Sequence, residues 1–508
     1  MPHQITLKLA VAEDRHSALQ RHPLLAGASL REQQNLVSLY YDTGRLALRR
    51  AGILLRLRRN GASWVQTVKR QDNSDGGLTV RPEWQAPYLN HFDFSHVDEA
   101  ALRDWLQQEK ISSRIASVFE TSFRRRSWLI EPALGIRILA KLDRGWIAAD
   151  GRREVISELE LQLLSGSVED IYAAAQELAR SQSLPPLLLS KAERGYRLFR
   201  NSTPRPARAR EIDLADLDTP LAAFRRIALD CLAHLQSNYP GALTSDDPEY
   251  VHQMRVATRR LRAALRLFRP ALPPGIEEAL VGPLRGLMTN LGQARDLDVL
   301  VTEIVAPVSR AIPDDPRLAD LAGAITNRQY AARDAIRHLL RQPAYGALLL
   351  TAGQLLHRAP FIDVPQGEDH ADTLIPFAER RLRRLLRRIH ELAETARIDH
   401  PPSLHELRIA IKRLRYAIEF FGAIVPGKSG VAVVKRLAGL QEELGQLNDL
   451  ASAGNLLMIC AGRSAQLREA VTLIGGWHGQ RHAALLAAIP DRLESARGLK
   501  LPKLKHPG

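Results

Sequence analysis

The first two hundred residues alternate between apolar and polar side chains with a period of two. The runs that show it are QITLKLAV, GILLRLRR, SWVQTVKR, SFRRRSWLI, GIRILAKLDRGW and EVISELELQLL. Because successive side chains of a strand point to opposite faces, this alternation predicts strands with one apolar and one polar face. Short turn segments such as NGAS favour antiparallel connections. We predict a domain of antiparallel strands that form an open sheet or close into an antiparallel β-barrel, covered by a helix at 168–181 and a second helix near 99–110.

The pattern changes beyond about Thr219, where apolar residues recur at helical spacing. The intervening stretch NSTPRPARAR contains prolines that interrupt both helices and strands, and its spaced arginines keep it hydrated. We therefore predict an α+β multidomain chain. It has a β-domain at 1–200, a linker at 201–211 and an all-α domain at 212–500.

The helical half repeats itself at one offset. VHQMRVATRRLR at 251–262 aligns with LHELRIAIKRLR at 404–415, which places His252 and His405 153 residues apart. LGQARDLDVL and LGQLNDLASA, beginning at Leu291 and Leu444, match at the same offset. Since this period far exceeds that of solenoid repeats, we predict a duplicated helical bundle.

Each copy carries basic residues three or four positions apart, on one stripe of a helix. These residues are His252, Arg255, Arg259, Arg262 and Arg266 in the first copy and His405, Arg408, Lys412 and Arg415 in the second. Like charges at this spacing repel, and a hydrated surface helix usually mixes signs. Recurrence of the stripe favours an anion-binding surface over a merely hydrated one. A third basic segment, ERRLRRLLRRIH, would extend that surface.

The overall charge points the same way. Lys and Arg number 71 against 56 Asp and Glu, a formal net charge of +15, which favours an anionic partner. The helical half has few aromatic residues for stacking on bases, so inorganic polyphosphate is favoured over nucleic acid. Two cysteines, no signal-peptide pattern and no apolar run of roughly 18 residues indicate a cytoplasmic protein rather than a membrane protein.

The two histidine-led helices and their duplicated bundle resemble the CHAD domain over about residues 212–500. The resemblance implies a helical fold that binds inorganic polyphosphate in a basic groove lined by both stripes. It implies no catalysis in this half. Whether His252 and His405 act as charged ligands, as packing donors or as pH-dependent switches stays open at this stage.

In the β-domain, charged residues spaced two apart or on successive strands share a face. They are Arg56, Arg58, Lys69, Arg81, Glu83, Arg124, Arg126, Glu158 and Glu160. In an open sheet this face would be hydrated, and its glutamates would pair with arginines. In a closed sheet it would line a lumen suited to a polyphosphate beside a divalent metal.

Residues 1–200 resemble the CYTH, or triphosphate-tunnel, family. The segments that carry the resemblance are QITLKL, YYDTGRLALRRAGILLRLRR, WVQTVKR, RPEWQ, LDRG, SELELQL and SKAERGY. The resemblance implies phosphate contacts from Lys8, Arg56, Arg58, Lys69, Arg81, Arg124, Arg126 and Lys191. It implies an acidic set of Glu83, Asp143, Glu158 and Glu160 for Mg²⁺ or Mn²⁺. Active family members hydrolyse triphosphates or make cyclic nucleotides.

The first strand departs from the family pattern Glu-x-Glu-x-Lys, because its places hold Gln4, Thr6 and Lys8, and Gln85 replaces a further acid. Neutral oxygens hold a hard cation more weakly than carboxylates do. Two functions stay open. One is a polyphosphate-binding protein whose tunnel binds triphosphate or chain ends, with hydrolysis reduced or lost. The other is a metal-dependent inorganic triphosphatase that recruits substrate with its helical domain. Association with polyphosphate granules is expected from the family alone.

Overall fold

The computed structural model describes residues 5–61, 63–70, 83–214, 217–358, 373–425, 427–502 and 504. The chain divides into two compact units. The first consists of Met1–Arg205 with Leu340–Arg358, and the second of Pro206–Leu339 with Ala359–Gly508.

The first unit is built on one eight-stranded antiparallel sheet. Its strands are β1 (Thr6–Ala10), β2 (Ser29–Thr43), β3 (Ile53–Asn60), β4 (Ser63–Arg70), β5 (Glu83–Pro87), β6 (Ile115–Ile130), β7 (Arg137–Ala149) and β8 (Arg152–Ser165). They lie in the order β1-β8-β7-β6-β2-β3-β4-β5. The predicted antiparallel β-domain is confirmed. In the described part of the chain β1 and β5 are edge strands, so the sheet is open rather than closed.

Between and after the strands, the described residues up to 200 also form α-helices. They are α1 (His16–Gln20), α2 (Pro23–Ala26), α3 (Ala47–Arg50), α4 (Ala100–Gln107), α5 (Glu109–Ser112), α6 (Val168–Leu178) and α7 (Lys191–Phe199). The helices predicted at 168–181 and near 99–110 correspond to α6 and to α4 with α5. Ser167 begins α6 with a capping box to Asp170, which satisfies backbone N–H groups that a helix start leaves unpaired.

The alternation seen in the sequence separates the two faces of the sheet. Leu7 and Leu9 of β1, and Leu159 and Leu161 of β8, are fully or almost fully buried in one core cluster together with Ile171 of α6. Apolar burial of this kind is the main favourable term in folding. The intervening residues, Lys8 and Glu160 among them, therefore face the other side of the sheet.

The described part of the chain beyond Thr219 is mainly helical. The helices are α8 (Pro220–Thr244), α9 (Pro248–Phe268), α10 (Ile276–Val299), α11 (Ala306–Ala311), α12 (Pro316–Arg341), α13 (Pro343–His357), α14 (Leu374–Thr395), α15 (Pro401–Phe420), α16 (Gly427–Ala461), α17 (Ala465–Ala487) and α18 (Ile489–Arg497). A π-helical turn at Leu300–Val305 connects α10 to α11. Helix α13 belongs to the first unit, where Gln354 accepts a hydrogen bond of 3.1 Å from Gln176 of α6.

The second unit shows the duplication directly. Helix α15 begins 153 residues after α9, at Pro401 and Pro248. Four aromatic rings meet in its core, with Phe268 at 5.9 Å from Phe224, 5.3 Å from Phe377 and 5.7 Å from Phe421. Phe224 and Phe377 form one pair at that same offset, and Phe268 and Phe421 form the other. The equivalent side chains Phe268 and Phe421 thus pack against each other in this core.

In the part of the chain that the structure describes, no helix combines the length and the apolar character that a bilayer span requires.

Candidate anion-binding sites

A charged strip crosses the sheet of the first unit on the face opposite the α6 core. Its members are Lys8, Arg56, Arg58, Lys69, Glu83, Arg125, Lys141, Asp143, Glu158, Glu160 and Lys191. Strand register places them in rows, because Asp143 lies opposite both Arg125 and Glu158, and Glu160 lies opposite both Lys8 and Lys141. The backbone pairing therefore brings together residues that are far apart in sequence.

Asp143 is the centre of the strip. Arg125 donates two hydrogen bonds of 2.7 Å to its carboxylate, from Nε to Oδ1 and from Nη2 to Oδ2. Lys191 Nζ lies 2.8 Å from Oδ2 and also binds Glu158, so one ammonium group bridges two buried carboxylates. Burial works to raise the pKa of Asp143, but Lys191 and Arg125 outweigh it and lower that pKa.

Lys191 reaches this position because it is the first residue of α7. Ser190 caps the helix, accepting a hydrogen bond from the Glu193 backbone N–H, while the Glu193 side chain accepts one from the Ser190 N–H. Burial lowers the pKa of Lys191, but Glu158, Asp143 and Glu160 reverse this and raise it. The Lys191 ammonium is therefore a fixed positive charge at ordinary pH.

Glu160 forms the second acidic position. Its carboxylate lies 3.1 Å from Lys141 Nζ and opposite Lys8. Burial would raise its pKa, but the charges of Lys8, Lys141 and Lys191 lower it to about 2. Glu160 is thus ionised throughout the physiological range.

The other end of the strip carries more positive than negative charge. Glu83 binds Lys69 and lies 3.8 Å from Arg56, while Arg58 donates a hydrogen bond of 3.4 Å to Ser38. Burial and the neighbouring Arg56 lower the pKa of Arg58 to about 10, and the same two causes lower the pKa of Lys69. Crowded cations of this kind are stabilised by an incoming anion.

The prediction that Arg124 and Arg126 share the charged face is wrong. The residue of β6 that joins the strip is Arg125, whereas Arg126 hydrogen-bonds to Gln33 and Gln20 on the other side. Trp128 and Ile130 of the same strand are buried in the α6 core, so Arg124 and Arg126, an even number of positions away, face that side. Arg124 is solvent-exposed.

Two predicted positions, Gln4 and Arg81, lie outside the described residues. Of the other two departures from the family pattern, Thr6 pairs in β1 with Gln162, and Gln85 donates a hydrogen bond of 2.7 Å to Glu83. Neither adds a carboxylate to the strip.

The acidic set does not fit a divalent metal in this arrangement. Asp143 is held by Arg125 and Lys191, Glu158 by Lys191, and Glu160 by Lys141. Glu83, bound by Lys69, belongs to the far end of the strip. Mg²⁺ and Mn²⁺ need several oxygen ligands free to coordinate. Among the described residues, no group of three or more His, Cys, Asp or Glu side chains could hold a metal ion.

The second unit brings the two basic stripes together. We call Arg255 and Arg259 of α9, with Arg408 and Lys412 of α15, the basic cluster. All four are partly buried, and each of Arg255 and Arg259 acts electrostatically on Lys412. Arg255 forms an ion pair of 3.8 Å with Asp296, and Asp449 acts electrostatically on Arg408. The cluster therefore carries an excess of buried positive charge.

Lys412 shows the effect of this excess most clearly. Burial, followed by Arg259, Arg408 and Arg255, lowers its pKa to about 7. The charges with the largest effect on it are those of Arg259, Arg408, Arg255 and Arg413, so repulsion adds to the desolvation cost. A phosphate chain would relieve both effects by supplying negative charge and hydrogen-bond acceptors.

The two histidines have different surroundings. Burial and the charge of Arg295 lower the pKa of His252 to about 4, so its imidazole is neutral at pH 7. Its Nδ1 is buried and has no hydrogen-bond partner among the described residues. His405 is exposed, and its Nδ1 lies 2.8 Å from Asn448 Oδ1. The repeat conserves the residue type at these two positions but not its environment.

The remaining predicted cations lie around the cluster. Burial and the neighbouring charge of Arg266 lower the pKa of Arg262, so these two cations lie near one another. Arg415 lies 3.5 Å from Glu419. In the third basic segment, Arg383 pairs with Glu379 and Arg388 with Glu391, and both arginines are exposed. Arg381 alone of these three lines a pocket with α9 and α15.

Sequence reasoning missed several members of these sites. Arg125 could have been found, because buried Trp128 and Ile130 fix which face each arginine of RRR takes. Lys141 carries the same alternation signal on β7. Arg295, which acts on His252 from α10, could not have been found, because helix packing alone brings the two together.

Two family models match the chain. A model described as CYTH domain matches residues 3–196, and a model described as CHAD domain matches residues 226–458. A solved CHAD domain from the plant Ricinus communis is 34% identical and superposes with a TM-score of 0.52, covering 59% of this chain and 99% of that one.

Curated relatives match part of the chain. An inorganic triphosphatase of Haemophilus influenzae is 31% identical over 201 residues, 39% of this chain and 55% of that protein. A Mycobacterium tuberculosis protein described as uncharacterized is 30% identical over 191 residues, 36% of each chain. The chain thus spans about half the length, or less, of the curated relatives it matches.

Proposed function

Because the chain belongs to the proteins in which a CYTH domain is followed by a CHAD domain, we propose that it binds inorganic polyphosphate through the helical domain. The observation that carries this proposal is the basic cluster, whose cations from two helices converge on Lys412. Like charges so placed repel unless an anion compensates them. Arginine suits phosphate in particular, because its planar fork engages two oxygens at once.

An inorganic phosphate chain matches the linear arrangement of these basic residues. Beyond the cluster, basic residues continue along α9 at Arg262 and Arg266 and along α15 at Arg415. Such a track binds a repeating anion without a defined register and without reading bases. Polyphosphate is therefore favoured over nucleic acid, which we expect to bind more weakly at matched charge and salt.

In the first unit, we propose that the charged strip binds triphosphate or the end of a polyphosphate chain. Arg56, Arg58 and Lys69 provide the excess of cations, and the carboxylate of Glu83 lies beside them. Burial of these cations strengthens their attraction for phosphate oxygens relative to that of exposed lysines and arginines.

We propose that hydrolysis in this unit is reduced or lost. Lys191 and Arg125 already neutralise Asp143, and Lys191 also neutralises Glu158. The ammonium of Lys191 occupies the space between these carboxylates. The replacement of acids by Gln4 and Thr6 removes further oxygen charge from the first strand.

Calorimetric titration of the full chain with long-chain polyphosphate and with tripolyphosphate tests this proposal. Each titration is run in EDTA and again in Mg²⁺ or Mn²⁺, with free phosphate measured in parallel. We expect tight, metal-independent binding of the long chain and no phosphate release. Absence of long-chain binding to the wild-type protein would contradict the proposal.

A second candidate is a metal-dependent inorganic triphosphatase that recruits substrate with its helical domain. Its support is the 31% identity to the Haemophilus triphosphatase. It requires the acidic residues to exchange Lys191 and Arg125 for Mg²⁺ or Mn²⁺. Metal-dependent release of phosphate from tripolyphosphate by the wild-type chain would favour it. Phosphate release appearing only after Gln4→Glu with Thr6→Glu would favour lost hydrolysis instead.

We also propose a cytoplasmic location with association to polyphosphate granules, which follows from the proposed ligand. Co-sedimentation of the tagged protein with purified granules tests it, with the variant lacking the cations of the basic cluster as the control.

A further inference from the structure

A pocket of about 250 Å³ lies in the second unit, lined by α9, α10, α14 and α15. Six cations surround it, and no carboxylate is among its described lining residues. The cations are Arg259, Arg262, Arg266, Arg381, Lys412 and Arg413. The pocket shares Arg259 and Lys412 with the basic cluster, and Arg262 and Arg266, which continue the basic stripe of α9, line it as well.

Apolar side chains distinguish this pocket from a simple phosphate track. Met288, Leu385 and Ile409 line it and are only partly buried, and Leu267 and Phe420 are buried beneath. A chain of inorganic phosphates is hydrated along its whole length and gains nothing from such contacts. A ligand that carries phosphates together with a flat apolar ring would use both parts of the wall.

The two copies of the repeat differ here. The residue that corresponds to Tyr416 of α15 at the 153-residue offset is Ala263 of α9. Both line the pocket, and the small side chain of Ala263 leaves space beside Tyr416. The pocket therefore depends on a departure from the internal repeat, rather than on the repeat itself.

Tyr416 also supplies a polar group without a partner. The residue is 4% exposed, and its hydroxyl makes no hydrogen bond within the described part of the chain. Its ring is contacted by the guanidinium groups of Arg259, at 5.6 Å, and Arg415, at 5.2 Å. A buried hydroxyl left unpaired is costly, and a ligand atom in the pocket would satisfy it.

The arginines carry further unpaired donors. The Nε atoms of Arg259, Arg381 and Arg413 are buried and have no hydrogen-bond partner among the described residues. Phosphate oxygens accept hydrogen bonds from guanidinium groups in pairs, so a diphosphate would satisfy several of these donors at once.

We propose that this pocket binds a nucleoside diphosphate. The phosphates contact the arginines, the base lies against Met288, Leu385 and Ile409, and the Tyr416 hydroxyl hydrogen-bonds to the nucleoside. This ligand goes beyond the polyphosphate of the proposed function. Because Arg259 and Lys412 contact both ligands, a bound nucleotide competes with polyphosphate at the cluster.

The test compares ADP with pyrophosphate, which has the same two phosphates but no nucleoside. Both are titrated calorimetrically into the full-length protein in EDTA, at one pH and salt concentration. We expect ADP to bind at least about tenfold more tightly than pyrophosphate and to weaken the binding of long-chain polyphosphate. Equal affinities for ADP and pyrophosphate would overturn the proposal.

Two substitutions locate the site. Tyr416→Phe removes only a hydroxyl that has no partner, so the fold is retained, and ADP affinity should fall roughly three- to tenfold. Ala263→Leu fills the pocket and should remove the preference for ADP over pyrophosphate, while Ala483→Leu, at an exposed position of α17, should leave it unchanged. ADP affinity unaltered by both pocket substitutions would place the nucleotide elsewhere and refute the proposal.

A final variant distinguishes ADP binding to the second unit from ADP binding to the first. Arg58→Ala alters the charged strip of the first unit, so loss of ADP binding in this variant would assign the nucleotide to the strip and overturn the pocket. Long-chain polyphosphate binding with no ADP preference would leave the proposed function standing and reject the pocket. Preference for ADP without polyphosphate binding would support the pocket and reject the proposed function.

Discussion

Lys412 is the residue of the helical unit whose protonation is most directly linked to anion binding. Its ammonium group is surrounded by arginines of α9 and α15, and its pKa is lowered to about 7 by burial and by those arginines. Near neutral pH about half of the free molecules therefore carry a neutral amine at this position. A bound phosphate chain favours the charged form, so binding is coupled to proton uptake.

We expect the affinity for polyphosphate to fall as the pH rises from 7 to 9. Above pH 7 the free protein loses the Lys412 proton, and binding must restore it, which lowers affinity by up to about tenfold per pH unit. Calorimetric titrations in buffers of different ionisation enthalpy measure the proton uptake. Lys412→Arg should retain binding and lose this pH dependence. If the affinity of the wild-type protein stayed the same over that pH range, the coupling to proton uptake would be contradicted.

Glu160 is the corresponding residue in the sheet. Lys8, Lys141 and Lys191 outweigh its burial and lower its pKa to about 2 in the folded protein, against 4.5 for an ordinary glutamate. Because the folded pKa is the lower one, its stabilising contribution is present above about pH 4.5 and is lost as the pH falls toward 2.

Replacing Glu160 with Gln should therefore destabilise the first unit by roughly 3 kcal/mol at pH 7, the free energy equivalent of that pKa difference. The variant should also show less loss of stability between pH 4.5 and 2. Tryptophan fluorescence during urea unfolding measures the stability of the first unit, since five of the six tryptophans lie within residues 1–200. Glu131→Gln, at an exposed position, is the control.

At the scale of elements, α7 determines where Lys191 stands. Gly195 of this helix lies so close to β6 that an added Cβ would be 2.2 Å from the ring of Phe119. Tyr196 on the same helix packs against that ring at a centroid distance of 5.0 Å. Helix and sheet thus approach closely enough for Lys191 to reach Asp143 and Glu158.

Gly195→Ala should push α7 away from the sheet and move Lys191 out of the charged strip. We expect a loss of about 1–3 kcal/mol in stability, as in other overpacked cores, and weaker binding of tripolyphosphate. Gly475→Ala is the matched control, because an added Cβ on that helical glycine meets no atom within 4 Å. Equal effects of the two substitutions would show that α7 does not depend on this contact.

For the whole molecule, polyphosphate binding should depend steeply on salt through the basic cluster. Replacing Arg255, Arg259, Arg408 and Lys412 together with Ala removes four phosphate contacts. We expect much weaker binding and a smaller slope of log affinity against log salt, by roughly 0.7 per contact removed.

The control variant must lose the same number of basic residues at positions outside the cluster. Arg310, Arg463, Arg468 and Arg481 are all exposed and lie outside the basic segments, so their joint replacement with Ala removes four basic residues without touching the cluster. If both quadruple variants weakened binding alike, overall charge rather than the cluster would account for the affinity. Binding isotherms at several salt concentrations distinguish these outcomes.

Much of the architecture was determined by the sequence itself. Alternation along segments such as QITLKLAV predicts strands, and helical spacing after Thr219 predicts the bundle, because burial of apolar side chains acts locally along each element. The offset of 153 residues predicts that α9 and α15 are equivalent. These features need no knowledge of which element packs against which.

The sites were decided by tertiary structure. Arg125, rather than Arg124 or Arg126, joins Asp143 because strand register selects one face of β6. The environment of Lys412 depends on how closely α9 approaches α15, and the sequence carries no record of that distance. Sequence determined which residues share a face of one element, since backbone geometry is periodic. Only packing decided which charges meet, because electrostatic and hydrogen-bond interactions depend on distances between elements that are remote along the chain.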